Sequence, residues 1–248
     1  MISRRPLVVL ALLLNLAVNA LSRDINRSGG MSTVAVADLN VPNKARKEYQ
    51  RAGIEIRKGD WTKAKEQLLK ALAIYPDYAA AYNDLGAIYA RLGDGIRDRE
   101  ALQNAIRVNA RFVPAYVNLA KLAVGEHNLS EAERLLTDAV FADPGNAQNL
   151  MLLANVELLA GHFAAAVTLC RRVHSQPHES QALAHYIAVR ALQQENKTAD
   201  ALSEFQTFLR EEPSGPDTEA ARKEMAALEN NVTEPTTAEK SSAPLPSH

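Results

Sequence analysis

The stretch Ala79–Asp94, AAAYNDLGAIYARLGD, decides how this chain folds. Tyr82, Leu85, Ile88 and Tyr89 recur at three- and four-residue intervals, the spacing that gathers apolar side chains on one face of a helix. Leu92-Gly93-Asp94 then ends that helix, because glycine takes up the left-handed backbone of a helix C-terminus without a Cβ clash. The same signals recur at intervals of 34 residues along the chain. Gly59, Gly93 and Gly161 share the turn position, and His127 fills the remaining slot. Leu68, Leu102, Leu136 and Cys170 form a second column, Ala71, Ala105, Ala139 and Val173 a third, and Leu85, Leu119, Leu153 and Ile187 a fourth. Pro76 and Pro144 lie two periods apart, Tyr82 and Tyr116 one. A fixed period of this length marks a stack of like units, each burying its apolar side against the next.

Within a period the pattern reads helix, turn, helix, turn. In the first unit Trp61, Ala64, Leu68, Ala71 and Leu72 make the inner stripe of a second helix. Tyr75-Pro76-Asp77 closes it, since proline cannot continue a helix interior. The units predicted are 45–78, 79–112, 113–146, 147–180 and 181–214, the fifth with one extra residue placed in its turn, QQENKTADA, ahead of Phe205, Phe208 and Leu209. A last helix, Asp217–Leu228, puts Ala221, Met225 and Leu228 on one face and leaves Arg222, Lys223 and Glu224 to solvent, as a cap over the final unit would. Ala64, Ala132 and Ala166 stand where paired helices touch, and larger side chains there would overpack the contact.

Ala79–Asp94 followed by EALQNAIRVNARF (Glu100–Phe112), and VPAYVNLAKLAVGEHNLSEAERLLTDAVFADP (Val113–Pro144), resemble the tetratricopeptide repeat. The resemblance covers about 45–228 and implies an all-α fold, a right-handed superhelical solenoid of about five repeats plus a C-terminal capping helix. Some positions depart from the family pattern. Its mid-helix glycine is kept only at Gly86, with Ala52, Ala120, Ala154 and Ala188 elsewhere. Gly95 and Asp98 stand where an aromatic and an alanine are expected, so that turn is predicted to be looser, with a frayed start to its second helix.

The resemblance also implies a site: the first helix of each unit lines a concave groove that holds a peptide. The groove residues carried over are Arg46, Tyr49 and Arg57 from unit one, Asn83 and Arg91 from unit two, Lys121 from unit three, Met151 and Asn155 from unit four, and His185 from unit five. The full set of groove positions holds four cations, Arg46, Arg57, Arg91 and Lys121, and no acid, while its far half offers Met151, Leu158, Leu159, Val189 and Leu192. The expected ligand is a protein or peptide segment, acidic at one end with apolar anchors at the other. Asn83 and Asn155 would hold its backbone amides. The carboxylate clamp of the family's chaperone-binding members is absent, because Tyr49, Gly53, Asp84 and Pro114 occupy several of its positions.

Composition narrows the function further. The chain has 248 residues, 47% hydrophobic and 23% charged, with a net charge of −1, which does not suit bulk nucleic-acid binding. Cys170 is the only cysteine, so no intramolecular disulfide forms, and its column in the repeat is a packing position. Phosphate-loop, Cys-x-x-Cys, His-Glu-x-x-His and Gly-x-Ser-x-Gly patterns do not occur. His174 and His178 are four apart, but Pro177 between them ends the helix that would align them on a metal. No enzyme, cofactor, metal or small-molecule substrate is expected. Asn-x-Ser/Thr triplets at Asn26, Asn128, Asn196 and Asn231 are glycosylation acceptors only in a eukaryotic secreted context.

The ends lie outside the repeat pattern. Arg4 and Arg5 precede the apolar run Leu7–Ala20, whose Val18-Asn19-Ala20 suits signal peptidase, so residues 1–20 are read as a cleaved signal peptide. As a helix that run would span roughly 21 Å, short of the ~30 Å hydrocarbon core. Residues 21–40 and 229–248 are poor in apolar side chains and are expected to be disordered. The resulting expectation is an exported scaffold, periplasmic or extracellular, serving as an adaptor in an envelope or secretion-type assembly. The alternatives are a self-assembling solenoid and an accessory subunit anchored in the membrane by an uncleaved N-terminal segment.

Overall fold

The computed structural model describes residues 40–175, 182–214 and 218–233. The predicted signal peptide, all of the linker but Asn40, and the tail beyond Thr233 lie outside the described residues. Among those described, the regular structure is helical: α1 (Asn43–Lys58), α2 (Trp61–Ile74), α3 (Ala79–Arg91), α4 (Gly95–Val108), α5 (Val113–Gly125), α6 (Leu129–Ala142), α7 (Ala147–Ala160), α8 (Phe163–His174), α9 (Ala182–Gln194), α10 (Thr198–Glu211) and α11 (Thr218–Thr233). Helices pair as hairpins, α1 with α2 through α9 with α10, and each hairpin packs on the next. The first helices α3 and α5, and likewise α7 and α9, also touch directly, while no pair of second helices comes as close. First helices therefore lie on the inner side of the curve and second helices on the outer.

Among the described residues, buried apolar side chains form four neighbouring groups along the stack, one of them Ala166, Val167, Ala191, Leu192 and Ala201 between units four and five. One group joins Ala52, Leu68 and Ala71 to Leu85 and Ile88. The next reaches from Leu102 through Leu119, Leu136 and Leu153 to Cys170 and Ile187. Tyr186, Val189, Phe205, Phe208 and Ala221 close the C-terminal end.

Each turn between the helices of a hairpin repeats one geometry. Gly59, Gly93 and Gly161 have φ of 77°, 77° and 83°, and His127 and Asn196 adopt the same left-handed backbone at 61° and 57°. The residue after each donates its N–H to the carbonyl five positions back: Asp60 to Glu55 at 2.9 Å, Asp94 to Tyr89 at 2.9 Å, Asn128 to Ala123 at 2.8 Å, His162 to Glu157 at 2.9 Å and Lys197 to Leu192 at 2.9 Å. Asp60, Asp94 and Asn128 then cap the following helix by accepting the N–H of the third residue on.

That shared hydrogen bond corrects the register of unit five. It falls at Asp60, Asp94, Asn128 and His162, one period apart, and then one residue late at Lys197. The turn after α9 is the same as the other four, so the extra residue lies before α9, not in QQENKTADA. All of α9 is displaced by one from the predicted repeat positions. Val189 and Leu192 are consequently core residues, 0% and 2% exposed, instead of lining the groove.

Unit two is also tighter than predicted. Helix α4 begins at Gly95, directly after Asp94, whose Oδ1 accepts the N–H of Arg97 at 3.1 Å, so its start is not frayed. Asp98 is 4% exposed and stands where its counterparts are buried alanines such as Ala64 and Ala132. Across the contact is Gly86. A Cβ there would meet Leu102 Cγ at 2.9 Å and Asp98 Oδ1 at 3.1 Å. At the far end α11 continues to Thr233, five residues past the predicted end of the cap, and Glu224 turns inward to pair with Arg190 at 2.9 Å.

Candidate functional site

The inner side of the curve is built from the first helices, and the predicted groove residues divide there into two groups. Arg57 and Arg91, in the last turns of α1 and α3, are exposed, and neither forms an ion pair among the described residues. The Arg91 guanidinium stands 4.9 Å over the Trp61 ring, which fixes its position while leaving its charge to solvent. Gly53, Ala87 and Ala90 add little bulk between these cations. Lys121 in α5 is half-buried, and that burial lowers its amine pKa. Met151 and Asn155 in α7 are half-buried, Met151 and Leu158 resting on the core beneath.

The other group serves the fold. Arg46 Nη2 donates to the Val41 carbonyl at 3.2 Å. The Tyr49 hydroxyl donates to Asp84 Oδ2 at 2.7 Å, with the Tyr78 ring 4.9 Å away. Asn83, predicted to hold a ligand backbone, is 9% exposed and engaged on both sides. Its Nδ2 donates to Asp84 Oδ1 at 3.3 Å and its Oδ1 accepts from Asn118 Nδ2 at 2.9 Å. Tyr49, Asp84, Asn83 and Asn118 thus form a chain of hydrogen bonds across α1, α3 and α5. Burial raises the Asp84 pKa, opposed by the bonds from Tyr49 and Asn83. Asp84, named from the sequence only as an occupant of a clamp position, was left out of the acid-free set because it lies one position from the residues carried over.

His185, also predicted in the groove, is 6% exposed inside the fold. It lies between two carboxylates of α10, Glu204 at 2.5 Å from Nδ1 and Glu211 at 3.3 Å from Nε2, and its ring stacks on His174 at 3.8 Å. Burial alone would lower its pKa, but the hydrogen bonds and charges of Glu204 and Glu211 raise it overall. The corrected register puts Tyr186, Arg190 and Gln193 at the groove positions of unit five. Arg190 donates to the Tyr186 hydroxyl at 2.7 Å, to Glu224 of α11 at 2.9 Å and to Gln193 Oε1 at 3.3 Å. Ala227 and Leu228 complete a cleft of about 200 Å³ beside it. The signal for this shift was in the sequence: asparagine tolerates a left-handed backbone, and Asn196, not Glu195, carries it.

Comparisons with known proteins agree with this geometry. Residues 54–93 match the TPR repeat family and residues 117–180 the tetratricopeptide repeat family. The chain is 26% identical over 107 residues to stress-induced-phosphoprotein 1 of Caenorhabditis elegans, a match covering 43% of this chain and 33% of that protein. The chain therefore spans about a third of the curated relative it matches. Among solved structures it is similar to YrrB, described as a TPR protein with an unusual peptide-binding site, at 18% identity and TM-score 0.61 over 72% of this chain and 92% of that one. It is similar to MamA from Desulfovibrio magneticus RS-1 at 15% identity and TM-score 0.62, covering 71% and 99%. A tetratricopeptide repeat protein from Parabacteroides merdae ATCC 43184 is similar at 14% identity and TM-score 0.66, covering 76% and 75%. The repeated turn, the hairpin succession and these matches together show the fold of a TPR-type solenoid, with the repeat models matching at residues 54–93 and 117–180.

Proposed function

We propose that this chain is a non-catalytic scaffold whose concave face holds a peptide segment of a protein partner. The observation that carries the proposal is the pair Arg57 and Arg91, exposed and without ion-pair partners among the described residues, one repeat apart on adjacent first helices. They suit a ligand with acidic residues toward units one to three, and Met151, Leu158 and Leu159 offer apolar contact farther along. Each exposed charge pair contributes at most about 1 kcal/mol. Affinity on this face therefore comes from several such pairs together with apolar burial. The likeness to a peptide-binding repeat protein supports a peptide as ligand, and the Leu7–Ala20 run supports placing the scaffold outside the cytoplasm, as an adaptor in an envelope or secretion-type assembly. Among the described residues no helix is long and apolar enough to cross a membrane.

The test is binding of acidic and basic peptide pools at low and high salt. Acidic peptides should bind preferentially and weaken as salt rises, because exposed charges are screened beyond about 10 Å at 0.1 M. Arg57→Glu combined with Arg91→Glu should abolish the preference. Unchanged acidic-peptide affinity in that variant removes the basis of the proposal. Mass spectrometry of the exported protein checks the location separately, with Leu21 the expected first residue.

A further inference from the structure

We propose that His174, His185 and Glu204 form a binding site for a divalent transition-metal ion of the zinc class, joining repeat units four and five. The three residues come from three consecutive helices, α8, α9 and α10, and one donor atom of each lies within 4.8 Å of the others. Two imidazoles and a carboxylate are the nitrogen and oxygen donors that zinc accepts, leaving a fourth position for water or a partner's side chain.

The local hydrogen bonds match what such a site needs. His185 Nδ1 faces Glu204 Oε2 at 2.5 Å, a contact that one proton bridges. A metal ion replaces a proton between a basic nitrogen and a carboxylate when the donors can separate slightly, since zinc sits about 2.0–2.2 Å from each. Glu204 and His174 are both half-buried, so neither side chain is enclosed on every side. His174 now stacks on His185 with ring centroids 3.8 Å apart, and a rotation about its Cβ–Cγ bond turns a ring nitrogen toward the ion. On the opposite side of the His185 ring, Glu211 Oε1 lies 3.3 Å from Nε2. A carboxylate on the far nitrogen of a ligating histidine fixes its tautomer and raises its basicity. Cys170 belongs to α8 as well but is not part of the cluster, and its thiol remains a packing group.

An ion held here ties the end of α8 to α9 and α10, so it stiffens the joint between the fourth and fifth hairpins. The test uses the full chain freed of metal with a chelator, then titrated with Zn²⁺ in competition with a chromophoric chelator. One tightly held ion per chain is expected. Glu204→Gln, which keeps the side-chain size, and His174→Ala should each weaken uptake about tenfold or more, and Glu211→Gln should weaken it by a comparable or smaller factor. Far-UV circular dichroism checks that each variant is folded. As a second measurement, Zn²⁺ should raise the Tm of the wild type and leave that of Glu204→Gln unchanged. Failure of the wild type to bind Zn²⁺ more tightly than the two variants overturns the proposal. So does uptake that persists in both, which would put the ion elsewhere, for instance at Glu133, Glu157 and His162.

Discussion

Oδ1 of Asp98 lies 3.1 Å from the point where Gly86 would carry a Cβ. In units one, three and four alanines stand at both corresponding positions, Ala52 and Ala64, Ala120 and Ala132, and Ala154 and Ala166, all at most 1% exposed, and in unit five the pair is Val189 and Ala201. In unit two the larger Asp98 is accommodated by a smaller partner. Gly86→Ala should therefore destabilise the protein by about 1–3 kcal/mol through overpacking. Combining it with Asp98→Ala should recover most of the loss, because the pair then resembles its neighbours. Urea unfolding of the two single variants and the double variant measures the coupling, and simple additivity would contradict the contact described.

Asp98 also makes stability depend on pH. Burial raises its pKa from 3.8 to about 6, with Arg99 opposing the shift and Glu126 reinforcing it. Between those two values the folded chain holds a proton that the unfolded chain has released, so stability falls as pH rises through this window and the loss is complete above it. Its size is at most about 3 kcal/mol. Asp98→Asn should be the more stable protein at pH 8, with the advantage shrinking toward pH 4. Thermal unfolding of both proteins across that range checks the sign.

The left-handed turn residues give opposite results on substitution. Nothing lies within 4 Å of a Cβ built on Gly93 or Gly161, so only the backbone resists a side chain there. Gly161→Ala should cost about 1 kcal/mol, whereas His127→Gly should gain about 0.5–1 kcal/mol by relieving a positive φ at a residue with a Cβ. Tm shifts of opposite sign are the expected outcome.

Tyr49→Phe removes the hydroxyl that donates to Asp84 and leaves that carboxylate with Asn83. A cost of about 1–2 kcal/mol is expected from the weakened, half-buried acceptor. Chemical denaturation measures it, and a neutral result would mean that solvent reaches Asp84.

Cys170 is 1% exposed, and burial, with Glu204 adding to it, pushes its thiol pKa up to about 12. Iodoacetamide at pH 8 should leave it unmodified in the folded chain and label it only after unfolding. Mass spectrometry before and after urea treatment reads this directly.

The helix–turn–helix period of units one to four was legible because glycine, proline and aromatic residues recur in columns, and each has a backbone or packing reason to stay in place. The fifth unit was misplaced because its turn uses Asn196 where glycine columns set the pattern, so a period counted from Gly161 pointed to Glu195. The cations of the inner face were legible as residue types. Whether a polar side chain faces a ligand or a neighbouring helix was not, because Asn83 and His185 are each held by residues far away in sequence, Asn118 at one and Glu204 and Glu211 at the other. For the same reason the sequence pairs His174 with His178, which lies outside the described residues, while in three dimensions its neighbour is His185.

Each hairpin leans on the one before and the one after, and the contacts between inner helices differ in extent from joint to joint. No tie runs the length of the array, so a slight tilt at one joint is not cancelled at the others, and small tilts sum along the row. Such an array would respond as a spring: a long ligand laid across several hairpins would tighten or open its arc with little strain at any one place, and a brace at a single joint would set the rest length of that segment alone.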